Sequence, residues 1–477
     1  MRRTVLLSTL LALSLCPGAF AIGTRTHAEI GRRCAEQYLA GADAMLPGLG
    51  SLVAKRANLK ILYTACAFPD WGYGNINPNA GEASHWNPFM RAWAGALRAR
   101  GAGFGLSEEM QREMAFFLGA VCHNIADIPW HFSTDGHLSF LEKSARMEGG
   151  THTLTEIGGD FIQYQKDRMR HWGTLTDYFP LETVYGALTA SGVPVTREEL
   201  RRGYQREQMI LWAAPVVTTP FVEDYRQQLP WTIAHLEDYY FGGIAHNAAA
   251  CAMWCRYWYA EAAGGHCLQQ MPAYGAPGNA GDCGYCPYLG VADATLAGDL
   301  PAHNTGAEAF LAVSAAPGKR RDALVRFDLS HLPAGPPPSR AVLWMYCERV
   351  TGTPPAIGVA PAAAPWAEGG GASDPFNGED GRPAGEGEVT WARRPQGEAE
   401  APRTAETVPA AGQWASWEVT PLVRGWLEDP GANHGLRLMA AGEGTALFFS
   451  SQAFQASADG YCGGKRVAFR PMLVLLP

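Results

Sequence analysis

The spacing of apolar residues divides the chain into two parts with different periodicity. Up to about residue 265, apolar positions recur at helical spacing, as in Met114, Phe117, Leu118 and Val121, and this predicts amphipathic helices. Beyond that point, short runs of β-forming residues alternate with turn residues, which predicts strands. The pattern therefore indicates a multidomain protein, an all-α domain followed by an all-β domain.

Capping residues and prolines indicate where several of the predicted helices begin and end. The Thr26-x-x-Glu29 pattern is a capping box, so a helix is expected to begin at His27. Pro129 is expected to end the helix over residues 113–125, because proline lacks a backbone donor. Further helices are expected over residues 52–66, after the N-cap Thr151, from the capping box of Thr196 and Glu199 to Leu211, and over residues 221–260 with a kink near Pro230.

The C-terminal part reads as short strands, and seven of them suggest a β-sandwich. The expected strands are residues 323–329, 341–347, 388–391, 416–419, 435–439, 446–449 and 472–476. Residues 354–387, rich in Gly, Ala, Pro and Glu, are expected to form a mobile insertion. The expected division is residues 1–21 as signal peptide, 22–268 as the α domain, 269–288 as a Cys/Gly/Pro-rich linker and 289–477 as the β-sandwich.

The first residues have the pattern of a secretory leader. Arg2 and Arg3 precede an apolar stretch over residues 5–15, and Ala19-Phe-Ala21 fits a cleavage site. The protein is therefore expected to be secreted, extracellular or periplasmic. No later apolar run reaches the roughly 18 residues that span a bilayer.

The net charge argues against a nucleic-acid-binding protein, and the number of cysteines indicates disulfide bonds. The formal charge of -8 becomes -8 - 2 = -10 once Arg2 and Arg3 are removed, so the chain lacks the basic character of a nucleic-acid-binding protein. Ten of the eleven cysteines follow the leader, and an even number in an oxidising compartment favours disulfides. A zinc knuckle around Cys283 and Cys286 is the alternative, and the pairing cannot be deduced from sequence.

Two motifs with metal-ligand spacing stand close together in the α domain. His123 and Asp127 are four residues apart, His131 follows after four more, and His152 and Glu156 repeat the spacing. On a helix, residues four apart share one face. Imidazole and carboxylate ligands without thiolate suit a hydrolytic zinc site.

Three further polar residues precede these motifs. His27 lies at a predicted helix start, Asp70 follows Pro69 on a turn, and His85 begins the segment His85-Trp86-Asn-Pro-Phe89. Taken singly, Asp70 is equally well a turn residue at a helix end, and His85 with Trp86 is equally well core packing.

Taken in order, these motifs resemble the zinc-dependent phospholipase C superfamily, and most of all the catalytic domain of glycosylphosphatidylinositol-specific phospholipase D. The resemblance covers residues 22–260 and implies three zinc ions. One would be held by the amine and carbonyl of Ile22 with His27 and a bridging Asp127. The others would be held by Asp70, His85, His123 and Asp127, and by His131, His152 and Glu156. His131 follows Asp127 more closely than in bacterial phospholipase C, which leaves the headgroup preference open.

The C-terminal part resembles the DNRLRE family of secreted β-sandwich modules through looser motifs. They include Asp293-Ala-Thr, the run over residues 323–330, Val389-Thr-Trp391, Trp417-Glu-Val-Thr420 and Gly425-Trp426. A glycan or cell-surface ligand is the expectation for such a module, but fold alone does not establish a ligand.

The expected activity is hydrolysis of phospholipid or glycosylphosphatidylinositol headgroup esters by a zinc-activated water. Asp70 is the expected catalytic proton acceptor, and the aromatic residues expected to contact substrate are Trp71, Trp86, Phe89 and Trp130. A single-strand nuclease and a non-catalytic surface protein with structural zinc are the alternatives. Whether the bond cut is that of a phospholipase C or D, and the oligomeric state, stay open.

Overall fold

The computed structural model describes most of the chain in two compact units, the first ending at Gly264 and the second beginning at Gly265. The residues described are 23–101, 103–133, 137–149, 151–167, 176–271, 290–333, 335–373, 381–395, 404–453 and 463–477. The predicted leader, Ile22, most of the predicted linker and the Cys283/Cys286 pair lie outside these ranges. The helical unit ends at Gly264 rather than at residue 268, because the next residues form a strand of the β unit.

The first unit is helical throughout its described residues. Its α-helices are α1 (Thr24–Arg33), α2 (Leu49–Ala54), α3 (Arg56–Ala65), α4 (Pro78–Ala83), α5 (Asn87–Ala99), α6 (Glu108–His131), α7 (Phe140–Glu148), α8 (His152–Asp167), α9 (Leu181–Ala190), α10 (Arg197–Thr218), α11 (Val222–Gln228), α12 (Pro230–His235) and α13 (Ile244–Ala263). A π-helical segment, Cys34–Leu39, follows α1, and a 3-10 turn, Phe68–Gly72, follows α3.

Helix α6 contradicts the expectation that Pro129 ends it. The helix continues to His131 with Pro129 inside, so it carries three candidate ligands on one uninterrupted helix. Proline at this place removes only its own backbone donor, and the next turn is still closed by the hydrogen bond from Phe132 N to Ile128 O at 2.8 Å.

Other helix ends are partly as predicted. Thr151 caps α8 through its hydroxyl, which accepts from Leu154 N at 3.2 Å, and Thr196 forms the expected capping box with Glu199. The prediction that Thr26 begins a capping box is wrong, since α1 already begins at Thr24. The runs over residues 52–66 and 221–260 are also broken, the first at Lys55 and the second into α11, α12 and α13.

The β unit confirms an antiparallel β domain after the helical one. Its strands are β1 (His266–Gln269), β2 (Val291–Ala297), β3 (His303–Asn304), β4 (Phe310–Ser314), β5 (Arg321–Phe327), β6 (Arg340–Thr351), β7 (Ala356–Pro361), β8 (Arg382–Pro383), β9 (Gln413–Glu418), β10 (Leu436–Ala441), β11 (Thr445–Phe449) and β12 (Met472–Leu476). Helix α14 (Thr420–Glu428) follows β9. Ten strands pair in the order β1-β12-β6-β11-β4-β5-β10-β7, with β2 on β5 and β9 on β6, while β3 and β8 pair separately.

Two apolar clusters pack the described residues of this β unit, and the larger one forms because alternate residues of each strand point to the same side. On β6 these are Leu343, Met345 and Cys347, and they pack with Val325 of β5 and Trp417 of β9 in a shared apolar cluster. The sheet therefore curls around its own interior, as a sandwich does.

Two β predictions are wrong in detail. Residues 388–391 form no strand and contribute only an isolated bridge between Ala367 and Glu388. The expected insertion over residues 354–387 contains β7, which pairs with β10 along six residues from Leu436 to Ala441. Its sequence, Ala-Ile-Gly-Val-Ala-Pro, is apolar but short, so its strand character was hidden by the surrounding Gly and Pro.

Seven cysteines fall within the described residues, and none of these is bridged. The predicted disulfides are thus absent at these positions. Among the described helices, none combines the length and the apolar character that crossing a bilayer requires.

Candidate metal centre

Three polar side chains project from one face of α6 because they occupy successive turns of a single helix. Asp127 lies in the middle. Its Oδ2 is 3.3 Å from Nε2 of His123, and its Oδ1 is 3.6 Å from Nε2 of His131. His123 is fully buried and Asp127 is 8% exposed. A charged carboxylate in such a place needs compensating positive charge.

Two residues from the segment between α3 and α5 face His123. Asp70 lies in the 3-10 turn, where Pro69 has stopped the preceding helix. Its Oδ1 is 3.3 Å from Nε2 of His85 and 3.7 Å from Nε2 of His123. His85 Nε2 is also 3.5 Å from Oδ2 of Asp127. Four potential ligand atoms therefore converge from three segments of the chain.

Backbone carbonyls orient both imidazoles toward this point. The Nδ1 of His85 is 2.9 Å from Gly81 O, and the Nδ1 of His123 is 2.7 Å from Cys66 O. With Nδ1 donating in each ring, both Nε2 atoms are directed inward, 3.0 Å apart. This is the outer contact that metal-binding histidines usually have. A tetrahedral zinc with bonds of about 2.0–2.1 Å has ligand–ligand edges of about 3.3 Å, which matches these separations.

His27 approaches the second oxygen of Asp127. Its Nε2 is 3.1 Å from Asp127 Oδ1, and its ring stacks on His123 with centroids 3.8 Å apart. Burial lowers the pKa of His27 to about 4, and the neighbouring His123 adds to this against the opposing influence of Asp127. The neutral imidazole that results is the form that binds metal.

The start of α1 is held by Asp160, a residue that the sequence analysis passed over. Its Oδ1 accepts hydrogen bonds from Arg25 N at 3.0 Å, Thr26 N at 2.8 Å and Thr26 Oγ1 at 3.1 Å. Gly23 lies so close that an added Cβ would be 1.9 Å from Asp160 Cγ. Asp160 thus accepts the hydrogen bonds from the start of α1 that Glu29 was expected to accept in the predicted capping box. Its position four residues after Glu156, which itself follows His152 by four, places it on the same helix face and could have indicated it from the sequence.

Glu156 of α8 completes the other side of the cluster. Its Oε1 is 3.3 Å from Nε2 of His131. Burial raises the pKa of Glu156 to about 9, and the charges of Asp127 and Asp70 act in the same direction. His152 is the first residue of α8, and its side chain, like all of Ile22, lies outside the described parts of the chain.

The pKa values of His85 and Asp127, the other titratable residues of the cluster with a clear shift, move in opposite directions. Burial would lower the pKa of His85, but the adjacent Asp70 carboxylate outweighs it and raises the pKa to about 9. Burial favours the neutral form of Asp127, yet the imidazoles of His123 and His27 hold its pKa well below the ordinary value. A cation bound here would take over the role of the His85 proton, because ligands bind in deprotonated form.

The donor set fits zinc. Asp70 Oδ1, Asp127 Oδ1 and both ring nitrogens of His27 are buried and make no well-directed hydrogen bond within the described residues. Two groups have ligand atoms close enough to share an ion, His27 with His123 and Asp127, and Asp70 with His85 and His123. Nitrogen and carboxylate oxygen are the ligands of hydrolytic zinc sites.

The four aromatic residues that were expected to contact substrate differ in how far their side chains are buried. Trp71, Phe89 and Trp130 are fully buried. Trp71 donates from Nε1 to Ser84 Oγ at 2.9 Å, and Trp130 stacks on Phe140 at 4.3 Å. These three side chains are packed in the interior of the helical unit. Trp86 is partly exposed and is held by Glu82 through a 2.9 Å hydrogen bond.

Comparison with known proteins points to the same chemistry as the geometry. The sequence model of the family described as zinc dependent phospholipase C matches residues 26–204. Among curated proteins, the bovine phosphatidylinositol-glycan-specific phospholipase D is 24% identical over 253 residues, covering 49% of this chain and 28% of the relative. The Dictyostelium discoideum protein of the same name is 28% identical over 199 residues, covering 39% and 20%. The human protein is 23% identical over 246 residues, covering 48% and 28%.

The family match lies within the helical unit, which continues beyond it to Gly264. The chain spans less than a third of the length of these relatives. The family match ends before the β unit, so the resemblance of that unit to DNRLRE modules stays a prediction.

Proposed function

We propose that this protein, whose helical unit belongs to the zinc-dependent phospholipase C superfamily, is a secreted phosphodiesterase that hydrolyses the headgroup ester of phospholipids or glycosylphosphatidylinositols. The proposal combines the donor set of the buried cluster with the names of the relatives. Their common name specifies a phosphatidylinositol-glycan substrate.

The position of Asp127 between two sets of imidazoles carries the proposal. Oδ1 lies 3.1 Å from His27, and Oδ2 lies 3.3 Å from His123 and 3.5 Å from His85. A carboxylate with each oxygen directed at a different group of ligands is the arrangement of a bridge between two metal ions. A single structural ion would leave one oxygen without a role.

The residues proposed to hold zinc form three groups. The first is Ile22 with His27 and Asp127, the second is Asp70, His85, His123 and Asp127, and the third is His131, His152 and Glu156. When bound, zinc ions polarise a phosphoryl oxygen and lower the pKa of water toward neutrality. Their positive charge attracts an anionic phosphodiester to a chain with a formal charge of -8.

Within this arrangement the chain's own groups have separate tasks. The carbonyls of Gly81 and Cys66 fix the two inward-facing imidazoles. Asp70 is 2% exposed, and its Oδ1 reaches the Nε2 atoms of His85 and His123, so its carboxylate is placed to bind metal and to accept a proton from the attacking water. Trp86, the aromatic candidate with exposed surface, is placed to contact the headgroup.

The N-terminal amine belongs to the same proposal. Asp160 fixes residues 25 and 26, and Gly23 fits against it where no side chain has room. Cleavage after Ala21 would leave the amine of Ile22 one residue before Gly23, and this would link export to formation of the first zinc site.

The test is a substrate comparison with purified zinc-loaded protein. Liposomes of phosphatidylcholine or phosphatidylinositol and a glycosylphosphatidylinositol-anchored protein are incubated beside single-stranded DNA. Release of water-soluble phosphate ester or of the anchored protein is expected, and chromatography of the lipid product as diacylglycerol or phosphatidic acid assigns the bond. Nucleotide release without lipid cleavage would establish the nuclease alternative. Absence of both, at full zinc content, would favour structural zinc.

A further inference from the structure

A second cluster of metal-binding side chains lies in the core of the helical unit, apart from the imidazole and carboxylate cluster. It consists of the thiols of Cys34, Cys66, Cys122, Cys251 and Cys255. All five are buried and unbridged. Hydrolysis of a phosphodiester requires none of them.

The thiols meet closely around Cys122. The Sγ atoms of Cys122 and Cys255 are 3.7 Å apart, and those of Cys34 and Cys255 are 4.0 Å apart. The sulfurs of Cys34, Cys122 and Cys255 all lie within 4.8 Å of one another. Zinc–thiolate bonds of about 2.3 Å imply sulfur–sulfur edges of about 3.8 Å in a tetrahedral site. A disulfide would need about 2.05 Å. The observed spacing is that of ligands around one ion.

The remaining two thiols surround this group. Cys66 and Cys251 both influence the Cys122 thiol, but their sulfurs lie outside the group of three that are all within 4.8 Å of one another. The Sγ of Cys251 also donates to Cys122 O at 3.2 Å. Gly31 makes room for Cys66, since a Cβ there would be 2.4 Å from its sulfur. Two further thiols thus lie next to the group, and either would have to move inward to become a fourth ligand.

Buried positive charge accompanies the cluster. Arg256 follows Cys255 on α13, is 1% exposed and acts electrostatically on Cys34. Its guanidinium is held by a 3.0 Å hydrogen bond from Nη2 to Tyr38 O. Four thiolates and a divalent cation carry a net charge of 2 - 4 = -2, of which one guanidinium offsets half. An opposite charge of this kind lowers the cost of burying the charged site.

We propose that Cys34, Cys122 and Cys255 bind a thiophilic d10 cation of the zinc class, with Cys66 or Cys251 as the fourth ligand. Soft thiolates select such cations over the hard ones. Binding releases one proton for each thiol that ligates the ion.

The site joins the helices that position the phosphodiesterase cluster. Cys34 follows the last residue of α1, which carries His27, and Cys122 precedes His123 on α6. Cys66 ends α3 and accepts the His123 hydrogen bond through its carbonyl, while Cys255 lies on α13. An ion here ties α1, α6 and α13 together behind the first cluster, so its role is structural.

The experiment uses Co²⁺ as a spectroscopic probe on the purified full-length chain. Thiolate ligands give a sulfur-to-cobalt charge-transfer band in the near ultraviolet, which imidazole and carboxylate ligands do not give. The band is expected in the wild type and in Asp127→Ala, and it should be lost in Cys34→Ser and Cys122→Ser together with about one metal ion per chain. Cys347→Ser, a buried free thiol of the β unit, is the matched control and should keep the band.

The wild-type spectrum decides the matter even where a serine variant fails to fold. A Co²⁺-loaded wild type without the charge-transfer band overturns the proposal. So does an intact mass lowered by two hydrogens for a bridge that peptide mapping places among these five cysteines, since the sulfurs would then be occupied by each other. These readouts are independent of lipid or DNA hydrolysis, so failure here leaves the proposed phosphodiesterase function untouched.

Discussion

Two buried acidic sites, one in each unit, differ in how their charge is balanced. In the β unit, Asp322 is 1% exposed, and its Oδ2 accepts from Arg437 Nε at 2.9 Å and from Arg437 Nη2 at 2.5 Å. Its charge is matched inside the protein. In the helical unit, Asp70 and Asp127 are turned toward imidazoles whose Nδ1 atoms are already committed to backbone carbonyls.

This difference in the partners of the buried carboxylates indicates which of the two sites would bind a metal cation. A buried carboxylate is stable when a permanent cation such as arginine faces it. Histidine supplies such a charge only when protonated, and the pKa of His27 is lowered to about 4 by burial and by His123. Because His27 is neutral, part of the buried carboxylate charge of this cluster lacks a permanent cation and a metal ion would balance it, whereas the Asp322–Arg437 pair is complete as it is. Substitutions should separate the two cases.

The largest effect is expected from Asp127→Ala. Phosphodiester hydrolysis should fall by well over about 100-fold, because losing a ligand exceeds the 10- to 100-fold cost typical of outer-shell changes. His131→Ala should retain more activity than Asp127→Ala, since His131 contacts one oxygen of Asp127 from the third group only. His331→Ala, an exposed β-unit histidine, is the control and should behave as wild type. Equal losses in Asp127→Ala and His131→Ala would argue against the bridge.

Extending the N-terminus is expected to have the next largest effect. A chain that begins at Ile22 should carry one more zinc and most of the activity, compared with the same chain preceded by a few residues. The amine must be unprotonated to bind, and a nearby zinc favours this form over its free pKa near 8. Circular dichroism should show both forms folded. Identical zinc content and rate would mean that the amine is no ligand.

Removing the Arg437 side chain should lower the free energy of unfolding and leave the zinc content of the imidazole and carboxylate cluster unchanged. Arg437→Met leaves Asp322 buried with only Arg320 nearby, whose Nε is 3.6 Å from Oδ1, so the free energy of unfolding should drop by about 3 kcal/mol. Arg340→Met removes an exposed pair with Glu418 and should cost less than about 1 kcal/mol. Denaturant unfolding with zinc analysis provides both readouts. A zinc loss in Arg437→Met would contradict the division between the units.

A smaller effect is expected at Asp160, which positions α1 through a single oxygen. Asp160→Ala should reduce activity by about 10- to 100-fold, as for outer contacts of metal ligands. Burial raises the pKa of Asp160 to about 7, so the neutral form is well populated near neutral pH, and Asp160→Asn should recover most of the activity with the same Oδ1 acceptor. Failure of the asparagine to rescue would mean that the charge matters and that Asp160 does more than position the helix.

The candidate site was largely predictable where it depends on local spacing. His123, Asp127 and His131 follow the helical repeat, so their shared face required no tertiary information. Pro129 was misjudged because a proline can kink or weaken a helix without ending it, and this helix continues for two residues beyond it. Asp160 was missed because its partners, Arg25 and Thr26, are about 135 residues away in sequence.

The fold was predictable in class but not in detail. A change from helical to alternating periodicity locates the two domains without reference to pairing. Strand β7 was missed since its register depends on β10, far along the chain. The cysteine cluster was equally hidden, because its five members come from four separate segments, and counting cysteines favoured bridges that the described residues do not contain.

Zinc content of purified Asp127→Ala and His131→Ala tests the central claim most directly. If Asp127 bridges two ions of the imidazole and carboxylate cluster, its variant should lose about two zinc ions relative to wild type, and the His131 variant about one. The ions are counted by elemental mass spectrometry against protein concentration, with folding checked by circular dichroism. Full wild-type zinc content in Asp127→Ala would contradict the account, since a carboxylate that no ion needs cannot be the bridge.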